Sequence, residues 1–176
     1  MRVGPLLGKL EAPLGVWAVL GNHDWWLDAG RVRSAMEVSG IRVLENQAVR
    51  IPWRSSHFWL LGTGDFTEAH HHVGAALSTG TGNAPLLAIT HNPDVFPEIP
   101  RQVILTIAGH THGGQVYVPL LGRPIVPSHY GQRYALGHVT ENGHHIFITT
   151  GLGTSILPVR FLTPPEITIL NLSAAR

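Results

Sequence analysis

Three apolar runs, each ending at a loop rich in side-chain nitrogen and oxygen, constrain this chain more than any other feature. Residues 16–20 (VWAVL) run into Gly21-Asn22-His23-Asp24, residues 86–90 (LLAIT) into His91-Asn92, and Val103–Ala108 (VILTIA) into Gly109-His110-Thr111-His112. Each run is too short for a typical helix and too apolar for a solvent face, so each reads as a buried strand closed by glycine or polar residues. Strand ends in one sheet lie side by side. Loops far apart in sequence can therefore converge on one point, and loops at strand ends are where such folds place their chemistry.

The rest of the chain fits the same picture. Residues 27–38 have helical spacing, with Asp28 as cap and Gly40 just past the end. Residues 43–51 and 57–61 read as strands joined by a turn containing Pro52, Ser55 and Ser56, and residues 68–77 as a second helix. Residues 115–118, 143–150 and 167–172 read as later strands, with a hairpin turn at Glu141-Asn142-Gly143. Short strands with few helices predict an α/β fold with a layered sheet core.

Composition narrows the function. At 176 residues and 44% hydrophobic, the chain is long enough for one domain with a real core. A formal net charge of +1 without a Lys/Arg run argues against a nucleic-acid-binding patch. The absence of cysteine excludes disulfides, thiolate metal sites and cysteine nucleophiles. No apolar run approaches the roughly 20 residues a spanning helix needs, and no signal peptide opens the chain, so it is expected in the cytoplasm or peripheral at a membrane.

Twelve histidines against eleven Asp plus Glu turn attention to imidazole, the commonest protein metal ligand. His110 and His112, at i and i+2, can face one side of an extended segment. Gly109, Gly113 and Gly114 let the backbone bend around them. Taken singly, the His110/His112 pair reads equally well as structural, and His91 reads more readily as a core residue. Taken together, Asn22, His91, His110 and His112 form a hard-to-borderline donor set suited to Mn, Fe, Zn or Ni rather than Ca.

Gly21–Asp24 (GNHD), His91 in ITHNPD and Gly109–His112 (GHTH) resemble the last three of five motifs of the calcineurin-like metallophosphoesterases. GHTHGGQVYVP, Tyr130-Gly131 and TTGLGTSILPVRFLTPPEI are similar to a bacterial branch that includes membrane-associated phosphodiesterases. The resemblance runs from residue 10 to residue 172. It implies a layered αββα sandwich and an enzyme that hydrolyses a phosphoester, most simply a phosphodiester. Two divalent metal ions a few ångströms apart would share a bridging water, lower its pKa and clamp the phosphoryl oxygens. On this resemblance Asn22, His91 and His110 bind one metal and His112 the other. His23 binds none; it is the catalytic residue, stabilising phosphoryl charge or protonating the leaving oxygen. The implied partner is a phosphoester substrate, and membrane association is compatible with longer members of the branch.

One departure shapes the expectation. The family's first two motifs, Asp-x-His and Gly-Asp-x-x-Asp, precede GNHD, but MRVGPLLGKLEAPLGVWAVL holds neither aspartate nor histidine. The chain is therefore expected to be a single, N-terminally truncated metallophosphoesterase domain over residues 1–176, without the first strands and helix of the sandwich. Divalent ions about 3.5–4 Å apart repel, and a bridging carboxylate normally offsets part of that repulsion. Without it at most one ion is expected, at Asn22, His91 and His110. The alternative is an inactive remnant, or a metal-dependent binding or regulatory module.

Other residues carry weaker expectations. His70-His71-His72 reads as a solvated loop or helix start, and Asp65 as a turn residue or a weak substitute carboxylate. His138, His144 and His145 read as hairpin surface residues. His129 and Tyr130 are candidates for the pocket lining. Arg160 is a candidate for phosphate or for an acid partner. Trp25 and Trp26 would form an apolar wall beside the site or pack in the core.

Overall fold

The computed structural model describes residues 4–77 and 81–173. A helical turn α1 (Gly4–Leu7) precedes β1 (Val16–Ala18), which pairs in parallel with β2 (Ile41–Val43) through α2 (Asn22–Leu27) and α3 (Ala29–Val38). The hairpin β3 (Gln47–Trp53) and β4 (Ser56–Gly62) leads to α4 (Val73–Leu77), β5 (Leu86–Ile89) and β6 (Val103–Ala108). The chain closes with the hairpin β7 (Gly137–Glu141) and β8 (His144–Ile148). The larger sheet has the order β3-β4-β5-β6-β8-β7, with β4, β5, β6 and β8 parallel and both edge strands antiparallel.

Strand alternation builds the layers. On β5, Leu86 and Ala88 point to one face of the large sheet, while Leu87 and Ile89 point to the other. The second face packs Val49, Ile51, Phe58 and Leu60 against Trp17 of β1 and Leu44. The first face packs Leu61, Val103, Ile146 and Ile148 against Val95, Phe96 and Tyr134, which lie on 3-10 turns. Outside the small sheet, Val32 and Met36 of α3 cover Leu20 and Val43. The result is helix, sheet, sheet, helix: the layered α/β sandwich expected above.

Several boundaries differ for local reasons. Asp28 caps α3 by accepting from the Arg31 N–H at 3.0 Å, as expected, but residues 22–27 form a separate helix rather than a loop. The strand expected over 43–51 breaks at Leu44–Asn46, where Asn46 takes φ +52°. The Asn46 carboxamide instead accepts from Gly64 N–H (2.8 Å) and His72 N–H (2.7 Å), pinning the neighbouring loop. Pro52 lies inside β3, not in the turn; β3 is an edge strand, where a missing N–H costs no ladder bond. The helix expected over 68–77 is confined to Val73–Leu77. Residues 115–118 make only isolated bridges, Val116 with Phe161 and Val118 with Gly122, and residues 167–172 form no strand. β7 was not anticipated as a strand, although the hairpin turn beside it was. Among the described residues no helix is long and apolar enough to cross a membrane.

Candidate metal centre

The carboxyl ends of β1, β5 and β6 deliver the three loops to one place, the usual ligand position in an α/β sheet. The loops surround a cavity of about 440 Å³ lined by Asn22, His23, Asp24, Trp26, His91, His110 and His112, together with Gly21, Pro127, Thr154, Ser155 and Ile156. Gly21 is required by close approach: a Cβ there would stand 2.6 Å from Cε1 and Nδ1 of His91. The Gly21 N–H donates to the Asp24 carboxylate at 2.9 Å, turning the chain into α2 and presenting Asn22. The next loop is tied to His91 through its carbonyl, which accepts from Gly109 N–H at 3.0 Å.

His91 Nε2 lies 3.0 Å from Asn22 Oδ1 and 3.0 Å from His110 Nδ1. A single ring nitrogen cannot donate to the amide and accept from the second imidazole at once. Three donor atoms thus face a shared point that hydrogen bonds alone do not satisfy. The His110 ring also faces the Pro127 carbonyl, which acts on its charge. With Nδ1 turned to His91, Nε2 is the ring nitrogen left for that carbonyl. His112 is oriented the opposite way: its Nδ1 bonds the Gly153 carbonyl at 3.1 Å, leaving Nε2 for the cavity. Carbonyl partners of this kind fix the tautomer of metal-binding histidines.

Backbone and charge set this region apart. His110 and His112 both take left-handed conformations, φ +68° and +51°, which cost about 1–3 kcal/mol each for non-glycine residues and cluster at functional sites. Burial, then the neighbouring His110, His112 and His23, push the His91 pKa down to about 3. Burial also lowers His110, against an opposing pull from Asp94, and lowers His112. The imidazoles are held neutral, the form in which they bind metal.

Two imidazoles and one amide, with Asn22 Oδ1 and His110 Nδ1 each 3.0 Å from His91 Nε2, offer donors of the type and number that could hold one divalent ion. A second ion finds less. Among the described residues no group of three or more His, Cys, Asp or Glu side chains stands at ligating spacing. Asp24 is engaged with Gly21, and Asp65 is fully buried and absent from the cavity lining. The residues present fit one ion and do not assemble a complete second site.

The remaining sequence candidates disperse. His23 faces the cavity, its ring 4.6 Å from that of Trp26 and its Nε2 3.4 Å from Ser155 Oγ. Trp26 forms part of the wall, while Trp25 stacks on His70 at 3.8 Å. His71 meets Glu98, so the three consecutive histidines do not share a ligand. Among the described residues Arg160 pairs with no acid and does not line the cavity; its guanidinium donates to the carbonyls of His112, Thr150, Gly151, Gly153 and Thr163. His129 is 80% exposed and Tyr130 lies outside the lining. Sequence reasoning missed Pro127, Thr154, Ser155 and Ile156, which come from irregular segments without periodicity.

Several known proteins are similar to the chain over nearly its whole length. The chain is 33% identical to an uncharacterized metallophosphoesterase, YkuE, of Bacillus subtilis over 97% of its own length and 60% of the relative's. It is 36% identical to the phosphodiesterase YaeI of Escherichia coli over 95% of its length and 62% of the relative's. An uncharacterized metallophosphoesterase of Aquifex aeolicus matches at 26% over 95% of the chain and 64% of the relative. The chain thus spans about three fifths of the length of these relatives. No family model matches it, and no solved structure matches it. Over nearly its whole length the chain is similar to several proteins named metallophosphoesterase or phosphodiesterase, and its layered α/β sandwich, with donor loops brought together from two stacked sheets, is consistent with the calcineurin-like fold.

Proposed function

We propose that this chain is a metal-dependent phosphoesterase acting on phosphodiesters, with residues 1–176 forming one metallophosphoesterase domain. The observation that carries the reading is the approach of Asn22 Oδ1, His91 Nε2 and His110 Nδ1 at 3.0 Å in a cavity that also holds His23. A divalent ion of the Mn, Fe, Zn or Ni type held by these three would supply Lewis-acid activation of water and of the phosphoryl oxygens. His112 turns its free Nε2 into the same cavity and serves as a further ligand or phosphoryl contact. His23 is placed to hydrogen-bond a phosphoryl oxygen or to give a proton to the leaving oxygen. Trp26 and Ile156 offer an apolar wall to one ester substituent. The printed name of the Escherichia coli relative supports a diester.

The test is hydrolysis of bis(p-nitrophenyl) phosphate by the full chain with Mn²⁺, alongside elemental analysis after removal of free ion. Turnover that requires Mn²⁺ and falls at least 100-fold in His110→Ala is the expected result. Bound Mn²⁺ without turnover would overturn it.

That outcome would favour a second reading, a metal-dependent binding or regulatory module or an inactive remnant. It draws on a specific observation: no carboxylate joins the donor set, so nothing among the described residues offsets the repulsion between two ions.

A further inference from the structure

Asp94 is 3% exposed and lies in the first turn after the His91 loop. Among the described residues no lysine or arginine pairs with it; the basic side chain beside it is the exposed His129, its Nδ1 3.9 Å away. A buried carboxylate without a cation is costly unless its oxygens are well hydrogen-bonded. Here both are: one accepts from Ser128 Oγ–H and the other from His129 N–H at 2.8 Å. Ser128 Oγ in turn accepts from Tyr130 N–H at 3.1 Å. These bonds cross 34 and 35 residues of chain and clamp the segment carrying Pro127 over the site. Pro127 lines the cavity, and its carbonyl faces the His110 ring. The carboxylate is also close enough for its charge to act on that ring.

We propose that Asp94 is a positioning residue for His110. Through Ser128 and His129 it holds the Pro127 carbonyl against His110 Nε2–H, and so keeps the Nδ1 lone pair aimed at the point shared with His91 and Asn22. This rests on the metal-site reading above, and adds a tether that neither Asp94 nor the 127–129 segment supplies alone. Ala at position 94 would remove both acceptors. Asn would keep one and turn an N–H₂ toward the other donor.

The test is ¹⁵N NMR of the histidine rings in the metal-free full chain, with Zn²⁺ titration by calorimetry on the same samples. Wild type, Asp94→Ala, Asp94→Asn and Ser128→Ala are compared at a temperature where circular dichroism shows each folded. The expected wild-type state is a single Nε2–H tautomer of His110. Asp94→Ala mixes the two tautomers and weakens Zn²⁺ binding 10–100-fold, the range for loss of an outer partner of a metal histidine. Asp94→Asn and Ser128→Ala fall between, and they decide the matter if Asp94→Ala does not fold. Folded variants that keep the wild-type tautomer and bind Zn²⁺ within twofold of wild type overturn the proposal. If wild type binds no Zn²⁺, the metal reading fails separately, while the tautomer comparison still decides whether Asp94 orients His110.

Discussion

His91 Nε2 and His110 Nδ1 face each other at 3.0 Å across the ends of β5 and β6, and the same Nε2 stands 3.0 Å from Asn22 Oδ1. Without an ion, one of these contacts is a donor without an acceptor or an acceptor without a donor. An ion relieves all three at once, so binding should stabilise the folded state by mass action. At 100 times its Kd the ion contributes about 2.7 kcal/mol. For a chain of this size that corresponds to roughly 5–11 °C in Tm. Differential scanning fluorimetry against Mn²⁺ or Zn²⁺ reads it. An equal rise in the His91→Ala, His110→Ala double variant would locate the ion elsewhere.

Acid should destabilise the metal-free protein in a defined window. His91 is held at about 3 in the folded chain against 6.5 when unfolded. Between those values the unfolded state binds the extra proton, so stability is full above about pH 6.5 and drains as pH falls toward 3. His110 and His112, lowered by the same burial, add to the loss. Asp65, raised by burial, acts with the opposite sign just above its ordinary 3.8, where the folded state is the one that holds the proton. The summed effect is on the order of a few kcal/mol. Urea midpoints between pH 7.5 and 4.5 should fall steadily, and less so in His91→Ala.

Gly21→Ala tests how tightly the first loop is packed on the second. Gly21 has φ −108°, which any residue adopts, so the obstacle is space alone. The added methyl meets the His91 ring at 2.6–2.7 Å. Either the ring moves off its two partners or α2 backs away with Asn22. Overpacking of this kind costs about 1–3 kcal/mol, and both escapes separate ligands, so Zn²⁺ affinity should drop at least tenfold. Calorimetry on the folded variant settles it; unchanged affinity would mean that the donors do not act together.

What the sequence disclosed and what it concealed divide along physical lines. β1, β5 and β6 are continuous apolar runs stopped by glycine or polar residues, so the strands and their donor-bearing loops could be read directly. Their meeting point could not, because it depends on how the two-stranded sheet that carries β1 packs on the six-stranded sheet that carries β5 and β6. Residues 22–27 look like a loop by composition; they become a helix because Asp24 ties back to Gly21 and Trp25 stacks on His70. Arg160 invited a phosphate, yet its donors are taken by the backbone carbonyls of His112, Thr150, Gly151, Gly153 and Thr163, in a region held by an isolated bridge at Phe161 rather than by a strand ladder. Asp94 ends the ITHNPD stretch, but its role was not legible there, since its partners lie on an irregular loop 34 and 35 residues further on.

His23 separates chemistry from metal binding. Its ring lines the cavity and bonds Ser155 rather than a ligand, acting on His91 and His110 through its charge. Removing it should therefore leave Zn²⁺ affinity and Tm near wild type. A group that delivers a proton to the leaving oxygen contributes about 10²–10⁴ in rate, and the contribution grows as the leaving group becomes more basic. His23→Ala should then lose about 100-fold or more on an alkyl diester and much less on bis(p-nitrophenyl) phosphate, whose leaving phenolate needs no proton. The measurement is kcat for both substrates at saturating Mn²⁺. An equal loss on the two esters would assign His23 to phosphoryl charge stabilisation instead. No loss on either would remove it from the reaction and leave Ser155, 3.4 Å away, as the next polar side chain on that wall.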